Sequence, residues 1–282
     1  MTMSTHPKIP ILDHGYVQLI EVWGSDERIV ESARMSTSGA FRGWGPTDAG
    51  PCRRCDGKGS GTPIYDPEFQ QWISMSCATC NGSGRDLRPG DEKLLRYLYE
   101  NKHSTPFEFG GLVVEVQAPI LVFREWHRHR TQSYTEMSAR YAPLPDLNYV
   151  PTSERCLFVN GQNRQANAVK GAETLTHDAA LVWLGELADV YEHAQRVYER
   201  GLAIGIPKEL ARLPVPVGRY SRMRAATCLR NWLGFLTLRS DLSVEGGAAQ
   251  WEIRQFANAV GTLLTEAFPR TMDLFCEKAR LR

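Results

Sequence analysis

Two cysteine motifs place the strongest constraint on how this chain folds. The pattern CxxCxGxG occurs at residues 52–59 and again at residues 77–84, with 21 residues between the two cysteine pairs. Each motif sets two thiols on one tight turn, and its glycines let backbone amides approach the sulfurs. Two such turns together supply the four thiolates of a closed tetrahedral zinc site. The predicted zinc ligands are Cys52, Cys55, Cys77 and Cys80.

Four free thiols and a redox-active CxxC pair are the alternatives to zinc. The same glycines follow both pairs, which favours metal binding. The motifs also resemble the cysteine-rich repeats of J-protein chaperones, although that resemblance covers only about thirty residues. A site closed by four cysteines has no open position for a substrate, so we expect the zinc to be structural.

The start of the chain, MTMSTHPKIPILDHGYVQL, has no basic region followed by a long apolar run. It is therefore not predicted to be a signal peptide, and no segment approaches the length of a membrane span. The chain has seven cysteines, an odd number, which favours reduced thiols over a disulfide framework. We expect a cytoplasmic protein with no membrane partner.

In the rest of the sequence strand-like segments come early and long helix-like segments come late, which predicts an α+β fold. Residues 40–91 are rich in Gly, Pro, Cys and Asp and lack helical periodicity, so they are interpreted as a module inserted into a single domain of residues 1–282. The predicted strands lie within residues 9–23 and 112–117. One predicted helix follows Ser25, a second spans residues 91–103, a third begins at Pro119, and a fourth runs from 176 to Gly201. A last long helix places Ile253, Phe256, Val260, Leu263 and Ala267 on one face.

The densest cluster of charge is FREWHRHRTQSYTEMSARY, residues 123–141, with four arginines and two histidines. Arg124 and Arg128 are four apart and are predicted to share a helix face. Guanidinium groups this close repel one another unless an anion neutralises them, and a phosphate held by arginine with Ser138 would do so. The alternative is a solvated helix end where the glutamates of the stretch pair with the arginines. Composition leaves both interpretations open.

Net charge argues against a nucleic-acid partner. The formal charge is +1, and acidic residues alternate with basic ones throughout the chain. A zinc-containing nucleic-acid-binding protein would combine the cysteine turns with Trp126 and Tyr134 as stacking side chains, but it is expected to be strongly basic. This class stays a remote alternative.

The motifs of the charged stretch resemble those of one enzyme family. Arg128-His129-Arg130, seven residues and then Ser138 form the RHRx7S signature of flavin-dependent thymidylate synthases. HSTPFE at residues 103–108 is similar to the family's HxTPFE element. The family's later motifs follow in order as AR (211–212), LRSD (238–241) and AQWE (249–252). The resemblance covers nearly the whole chain outside residues 40–91 and 244–247.

This resemblance implies a fold, an activity and a set of partners. It implies helices around an antiparallel sheet and a homotetramer whose active sites are shared between subunits. It implies methylation of C5 of dUMP, with methylenetetrahydrofolate as carbon donor, reduced FAD as hydride donor, and NADPH as the reductant that regenerates it.

The resemblance also assigns site residues by position. The implied FAD contacts are His103, Thr105, Glu108, Arg128, His129, Arg130, Glu136 and Arg230. The implied nucleotide contacts are Glu125, Arg128, Glu136, Ser138, Arg140, Arg212 and Arg239. Arg239 matches the arginine that stabilises the uracil ring ionised at N3, and because a guanidinium is always charged it would make C5 more nucleophilic. No enzyme nucleophile is then required.

Two positions inside the charged stretch depart from the family. Glu125 stands where glutamine is common, and Thr135 stands where asparagine is common. Related enzymes of nucleoside-antibiotic pathways methylate UMP with the same chemistry, so a UMP-preferring methylase is the alternative to a strict thymidylate synthase. A homologue that binds the nucleotide without catalysis is a third interpretation.

Overall fold

The computed structural model describes residues 7–61, 63–158, 175–243 and 248–280. The chain forms two compact units. One comprises Met1–Ser25 with Phe107–Arg282, and the other comprises Asp26–Pro106. The predicted α+β class is confirmed, because helices and an antiparallel sheet occur together. The extra residues 244–247 noted in the sequence lie outside the described part.

The strands are β1 (Lys8–Ile11), β2 (Gly15–Trp23), β3 (Thr47–Pro51), β4 (Ile64–Asp66), β5 (Gln71–Ile73), β6 (Arg85–Arg88), β7 (Gly111–Pro119), β8 (Ser133–Glu136) and β9 (Tyr220–Cys228). The α-helices are α1 (Asp26–Arg34), α2 (Glu92–Glu100), α3 (Ile120–Trp126), α4 (Ser153–Leu157), α5 (His177–Ala203), α6 (Lys208–Ala211), α7 (Leu229–Arg239), α8 (Trp251–Ala267) and α9 (Pro269–Arg280). Short 3-10 helices span Met35–Thr37 and Thr105–Glu108.

A five-stranded antiparallel sheet forms the centre of the larger unit, in the order β1-β2-β7-β9-β8. Strand β7 buries Leu112, Val114, Val116 and Ala118 at alternate positions, as a strand with one covered face requires. Helix α8 packs against β2 and contributes Ile253, Phe256 and Val260 to the core. Gly15 is required at this contact, because a Cβ there would lie 2.9 Å from the Phe256 ring and 2.6 Å from the Ile11 carbonyl oxygen.

Most predicted elements are confirmed at these positions. The 9–23 segment folds into the β1–β2 hairpin, residues 112–117 lie in β7, and the 91–103 helix is α2. Strands β3–β6, β8 and β9 and helices α4, α6, α7 and α9 were not predicted. The expectation of strands early and helices late was therefore too simple, because β9 is a long strand from the last quarter of the chain.

Three helix ends differ from the prediction. Helix α2 ends at Glu100, three residues before the predicted end at residue 103. Helix α5 continues past Gly201 to Ala203, and the turn after it uses Gly205 at φ 83°. Helix α3 ends at Trp126, so Arg128 is in the following turn and does not share a helix face with Arg124. The hydroxyl of Tyr134 stabilises this early end, because it shares its one proton between the carbonyl oxygens of His129 at 2.7 Å and Trp126 at 3.2 Å.

The smaller unit contains α1, α2 and the cysteine-rich segment between them. Described residues 40–61 and 63–91 contain no helix, as predicted, and form two two-stranded sheets, β3–β6 and β4–β5. The interpretation of residues 40–91 as an insertion into one domain stays a prediction. Among the helices that the structure describes, none has both the length and the apolar character needed to cross a membrane.

Candidate functional site

Arg239 is the last residue of α7, and its side chain contacts two residues of the charged stretch. Its Nη1 lies 2.9 Å from Oε2 of Glu125, near the end of α3, and its Nε donates to Nε2 of His129 at 3.1 Å. The Arg239 side chain is 18% exposed, so it is largely shielded but still reachable from solvent. A cation in the last turn of a helix is also favoured by the helix dipole. The fold thus brings these three predicted site residues together.

His129 is held as a neutral ring. Burial, and then the positive charge of Arg239, lowers the pKa of His129 to about 4. Nε2 accepts the hydrogen bond from Arg239, so the ring proton of neutral His129 is on Nδ1. The edge of the ring packs against Phe235 of α7, with centroids 4.9 Å apart. His129 therefore positions Arg239 without adding a charge.

Aromatic packing fixes the turn that carries His129. Trp126 is fully buried, stacks on Phe235 with centroids 4.7 Å apart, and donates from Nε1 to Gln132 at 3.0 Å. Tyr134 binds the carbonyl oxygen of His129 from the other side of the turn. Because these anchors are buried, Glu125 and His129 are held at fixed positions on one side of α7.

The remaining predicted flavin contacts are spread over both units. Arg128 and Arg130 are exposed, and neither forms a side-chain ion pair within the described ranges. Arg230, in the first turn of α7, forms an ion pair with Glu108. His103 and Thr105 are exposed residues of the smaller unit, where the His103 ring packs edge-on against Tyr97. The FAD roles of these residues stay predictions.

The predicted phosphate contacts lie near α6. Ser138 Oγ accepts from the backbone N–H of Arg140 at 3.3 Å, and Nε of Arg140 lies 3.9 Å from Glu209. Arg212 follows α6 directly. Glu136, two residues before Ser138, is exposed at the end of β8 and paired in register with Met223.

Two residues beside this group were not predicted from the sequence. Lys208 donates to the carbonyl oxygen of Tyr141 at 3.1 Å, and Glu209 faces Arg140. Both belong to a four-residue helix with no motif of its own, and the Lys208 contact spans 67 positions. The Pro207 that precedes α6 was the available signal, since proline often begins a helix.

The four predicted zinc ligands lie together in the smaller unit. Their sulfurs are all within 4.8 Å of one another, and all four residues are buried. The sulfurs of Cys52 and Cys77 are 3.9 Å apart, and those of Cys55 and Cys80 are 3.7 Å apart. A disulfide requires about 2.05 Å, so these are free thiols in an arrangement that suits a metal ion.

Comparison with known proteins places the whole chain beside one group. A family model described as "Thymidylate synthase complementing protein" matches residues 18–270. The flavin-dependent thymidylate synthase of Thermotoga neapolitana is 30% identical over 272 residues, which are 96% of this chain and 95% of that protein. A protein of the same name from Thermus thermophilus is 31% identical over 269 residues, covering 95% of this chain and 78% of its own length.

Solved structures give the same grouping. The UMP/dUMP methylase PolB from Streptomyces cacaoi, bound with 5-Br dUMP, is similar with a TM-score of 0.68 at 28% identity, covering 96% of this chain and 99% of PolB. PolB bound with 5-Br UMP gives a TM-score of 0.67 at 26% identity, covering 96% and 98%.

Proposed function

Because the chain belongs to the thymidylate synthase complementing protein family, we propose that it methylates C5 of a uracil nucleoside monophosphate, dUMP or UMP or both. The chain is an enzyme with methyl-transfer activity. The observation that supports the proposed site best is the contact of Arg239 with both Glu125 and His129.

Arg239 is the proposed catalytic residue. A guanidinium keeps its charge at every working pH, so it stabilises the uracil ring ionised at N3 and raises the nucleophilicity of C5. The neutral His129 ring accepts one of its hydrogen bonds without cancelling that charge. Glu125 offsets part of the charge until the nucleotide binds. These two neighbours give Arg239 one orientation before substrate arrives, which lowers the reorganisation needed for reaction.

No cysteine is required as a nucleophile in this proposal. The proposed zinc site uses four cysteines as ligands: Cys52, Cys55, Cys77 and Cys80. Burial raises the pKa of Cys156, which lowers its thiolate fraction and with it the reactivity of that thiol.

The exposed arginines suit a flavin dinucleotide. Arg128 and Arg130 have no side-chain ion pair within the described residues, so their charge is available to a diphosphate. The proposed FAD contacts are His103, Thr105, Glu108, Arg128, His129, Arg130, Glu136 and Arg230. When bound and reduced, the flavin would supply the hydride that completes the methyl group, and NADPH is the proposed reductant that regenerates the reduced flavin.

The nucleotide phosphate is proposed to bind near α6, at Ser138, Arg140 and Arg212. Within the described residues, the Arg140 guanidinium has one long ion pair, with Glu209, and lies 5.9 Å from the centre of the Tyr141 ring. It can turn to an anion without losing a strong pair. The proposed carbon donor is methylenetetrahydrofolate. A cytoplasmic homotetramer with shared active sites, and no nucleic-acid or membrane partner, completes the proposal.

A preference for UMP is the second candidate function. PolB has been solved with both 5-Br dUMP and 5-Br UMP, and this chain is similar to both structures. Glu125, paired with Arg239, places a carboxylate at the site, and a carboxylate is a strong acceptor for a sugar hydroxyl. Tritium release from dUMP and UMP labelled at C5, with methylenetetrahydrofolate and NADPH, distinguishes the two. A strict thymidylate synthase releases tritium from dUMP alone.

Replacement of Arg239 tests the mechanism. We expect Arg239→Ala to lower methyl transfer roughly 100- to 1,000-fold, because one preorganised charge is lost, while NADPH still reduces the bound flavin. Arg239→Lys keeps the positive charge but loses the planar guanidinium group. Its rate of methyl transfer should lie between those of Arg239→Ala and the unmodified enzyme. Equal loss of both half-reactions in Arg239→Ala would contradict the role, as would a colourless protein that FAD fails to reconstitute.

A further inference from the structure

The cysteine-rich segment of the smaller unit, residues 41–90, has no apolar core among its described residues. Within described residues 41–61 and 63–90, the buried positions are the four cysteines and Gly84. Within residues 47–88 the large apolar side chains face solvent instead: Ile64, Tyr65, Phe69, Trp72, Ile73, Met75 and Leu87 are all exposed. Segments of this size rarely fold by hydrophobic burial alone and need a disulfide or a metal. The buried side chains of this segment are therefore those of the four cysteines.

Two of the sulfur–sulfur distances match the edge of a metal tetrahedron, and all four sulfurs lie within 4.8 Å of one another. A Zn–S bond of about 2.3 Å in tetrahedral geometry sets neighbouring sulfurs about 3.8 Å apart. The Cys52–Cys77 and Cys55–Cys80 sulfurs are 3.9 and 3.7 Å apart, and each of these pairs joins the two motifs. The two cysteine turns are therefore already spaced for a single ion between them.

The two turns also hold each other by a reciprocal set of backbone bonds. The N–H of Cys52 donates to the carbonyl oxygen of Gly84 at 2.8 Å, and the N–H of Cys77 donates to that of Gly59 at 2.9 Å. Gly59 and Gly84 each have φ +72°, and a Cβ on either would lie within 2.4 Å of a carbonyl oxygen in the opposite turn. Glycine is thus required at the end of both motifs.

The same two glycines also contact sulfur. The N–H of Gly59 donates to Sγ of Cys55 and that of Gly84 to Sγ of Cys80, both at 3.3 Å. Such bonds stabilise thiolates, and the four cysteines are no more than 9% exposed. A metal in this position has four sulfur ligands and no open face, which suits a structural ion.

We propose that residues 47–88 fold around one Zn²⁺ ion, which replaces the apolar core that this segment lacks. Binding releases the four thiol protons to solvent as four Zn–S bonds form. Folding of β3, β4, β5 and β6 then depends on the metal, independently of the proposed methyl transfer. Thiolate-rich sites also take iron, so the identity of the ion is part of the test.

The test uses the full-length protein and three measurements. Elemental analysis should find about one zinc atom per chain. Removal of zinc by a chelator should raise the rate of tryptic cleavage inside residues 47–88 at least roughly 10-fold, because the segment becomes unfolded. Added Zn²⁺ should restore resistance, and added Mg²⁺ should not. Replacing zinc with Co²⁺ should give the visible absorption of a tetrahedral thiolate site.

Matched variants separate the site from general thiol effects. Cys52→Ser and Cys77→Ser should lose the zinc and show the fast cleavage, whereas Cys156→Ser, outside the segment, should keep both zinc and resistance. Iron in place of zinc, no bound metal, or an unchanged cleavage rate after zinc removal would each overturn the proposal.

Discussion

Three side chains form the proposed catalytic group, and each has a different electrostatic role: Arg239, Glu125 and His129. Arg239 carries the fixed charge, Glu125 offsets it, and His129 accepts a hydrogen bond while staying neutral. The depressed pKa of His129 has a consequence for stability. Between its ordinary value near 6.5 and about 4, the unfolded chain binds a proton that the folded chain does not, so stability falls as pH is lowered through this range.

Glu125 is the residue at which we expect sugar preference to be set. Glu125→Gln keeps a hydrogen-bond acceptor for Arg239 but removes the carboxylate charge. An amide oxygen accepts a sugar hydroxyl less strongly than a carboxylate, so the rate with UMP should fall roughly 3- to 10-fold relative to the rate with dUMP. Tritium release from the two labelled nucleotides measures this ratio.

Glu31→Gln is the matched control for Glu125→Gln. Glu31 also pairs with an arginine, and its side chain is 39% exposed, against 40% for Glu125. It belongs to α1, so the ratio should stay at the value of the unmodified enzyme. If the ratio of the UMP rate to the dUMP rate were unchanged in Glu125→Gln, this residue would not determine the substrate preference.

At the scale of elements, the carboxylate of Asp91 and its hydrogen bonds join the two ends of the cysteine-rich segment. Asp91, fully buried just before α2, accepts from Nε of Arg34 at 3.2 Å and from the backbone N–H of Arg42 at 2.8 Å. Its own N–H donates to the carbonyl oxygen of Gly43 at 3.0 Å. The beginning and end of the segment are thereby joined to each other and to α1.

Loss of this carboxylate should destabilise the smaller unit. Asp91→Ala leaves the Arg34 guanidinium without its partner, which we expect to cost about 3 kcal/mol in the free energy of unfolding. Chemical denaturation followed by limited proteolysis measures the change and locates it. Asp48→Asn, at the exposed Asp48–Arg85 pair, is the control and should cause no measurable change.

The effect of Asp91→Ala should also depend on pH. Burial alone would raise the pKa of Asp91, but the hydrogen bonds from Arg34 and Arg42 outweigh it and hold the pKa below its ordinary value. The carboxylate therefore contributes its stability above about pH 4 and loses it as pH falls further. A difference between Asp91→Ala and the unmodified protein that stayed constant from pH 7 to pH 3 would contradict this assignment.

At the scale of the whole molecule, the long helix α5 has an apolar face that is exposed in the part of the chain that the structure describes. Its inner face buries Ala180, Ala194 and Tyr198. Trp183, Val190 and Val197 recur every seven residues on another face and are 49%, 58% and 44% exposed. A regular apolar stripe of this kind indicates a protein interface, and the proposed homotetramer supplies a second copy of the chain to cover it.

A charge placed in this stripe should weaken the assembly. Val190→Glu would bury an unpaired carboxylate at the interface, so light scattering during gel filtration should show a mass below four chains. Glu192→Gln, on the same helix and exposed, should keep the mass of the unmodified protein. A monomeric unmodified protein, or an unaltered mass in Val190→Glu, would exclude this face from the tetramer.

Local patterns account for the parts of the structure that were predicted. The CxxCxGxG turns, the hairpin and the amphipathic helices depend on residues within one or two turns of each other, so sequence spacing describes them well. The end of α3 was predicted two residues or more too late, because the decisive contact comes from Tyr134, beyond the helix. Helix α7 was missed, and with it the element that carries Arg239.

The sequence by itself determined the family motifs, the four cysteines of the proposed metal site and the α+β class, because each depends on residue type at fixed spacing. Only the tertiary structure decided the partners of Arg239, which lies 110 positions from His129. Pairing of β7 with β9 sets the two strands that lead into α3 and α7 side by side, and burial of Trp126 against Phe235 then fixes the distance between the helices. Contacts of this range depend on how apolar surfaces pack, and no local pattern in the chain specifies them.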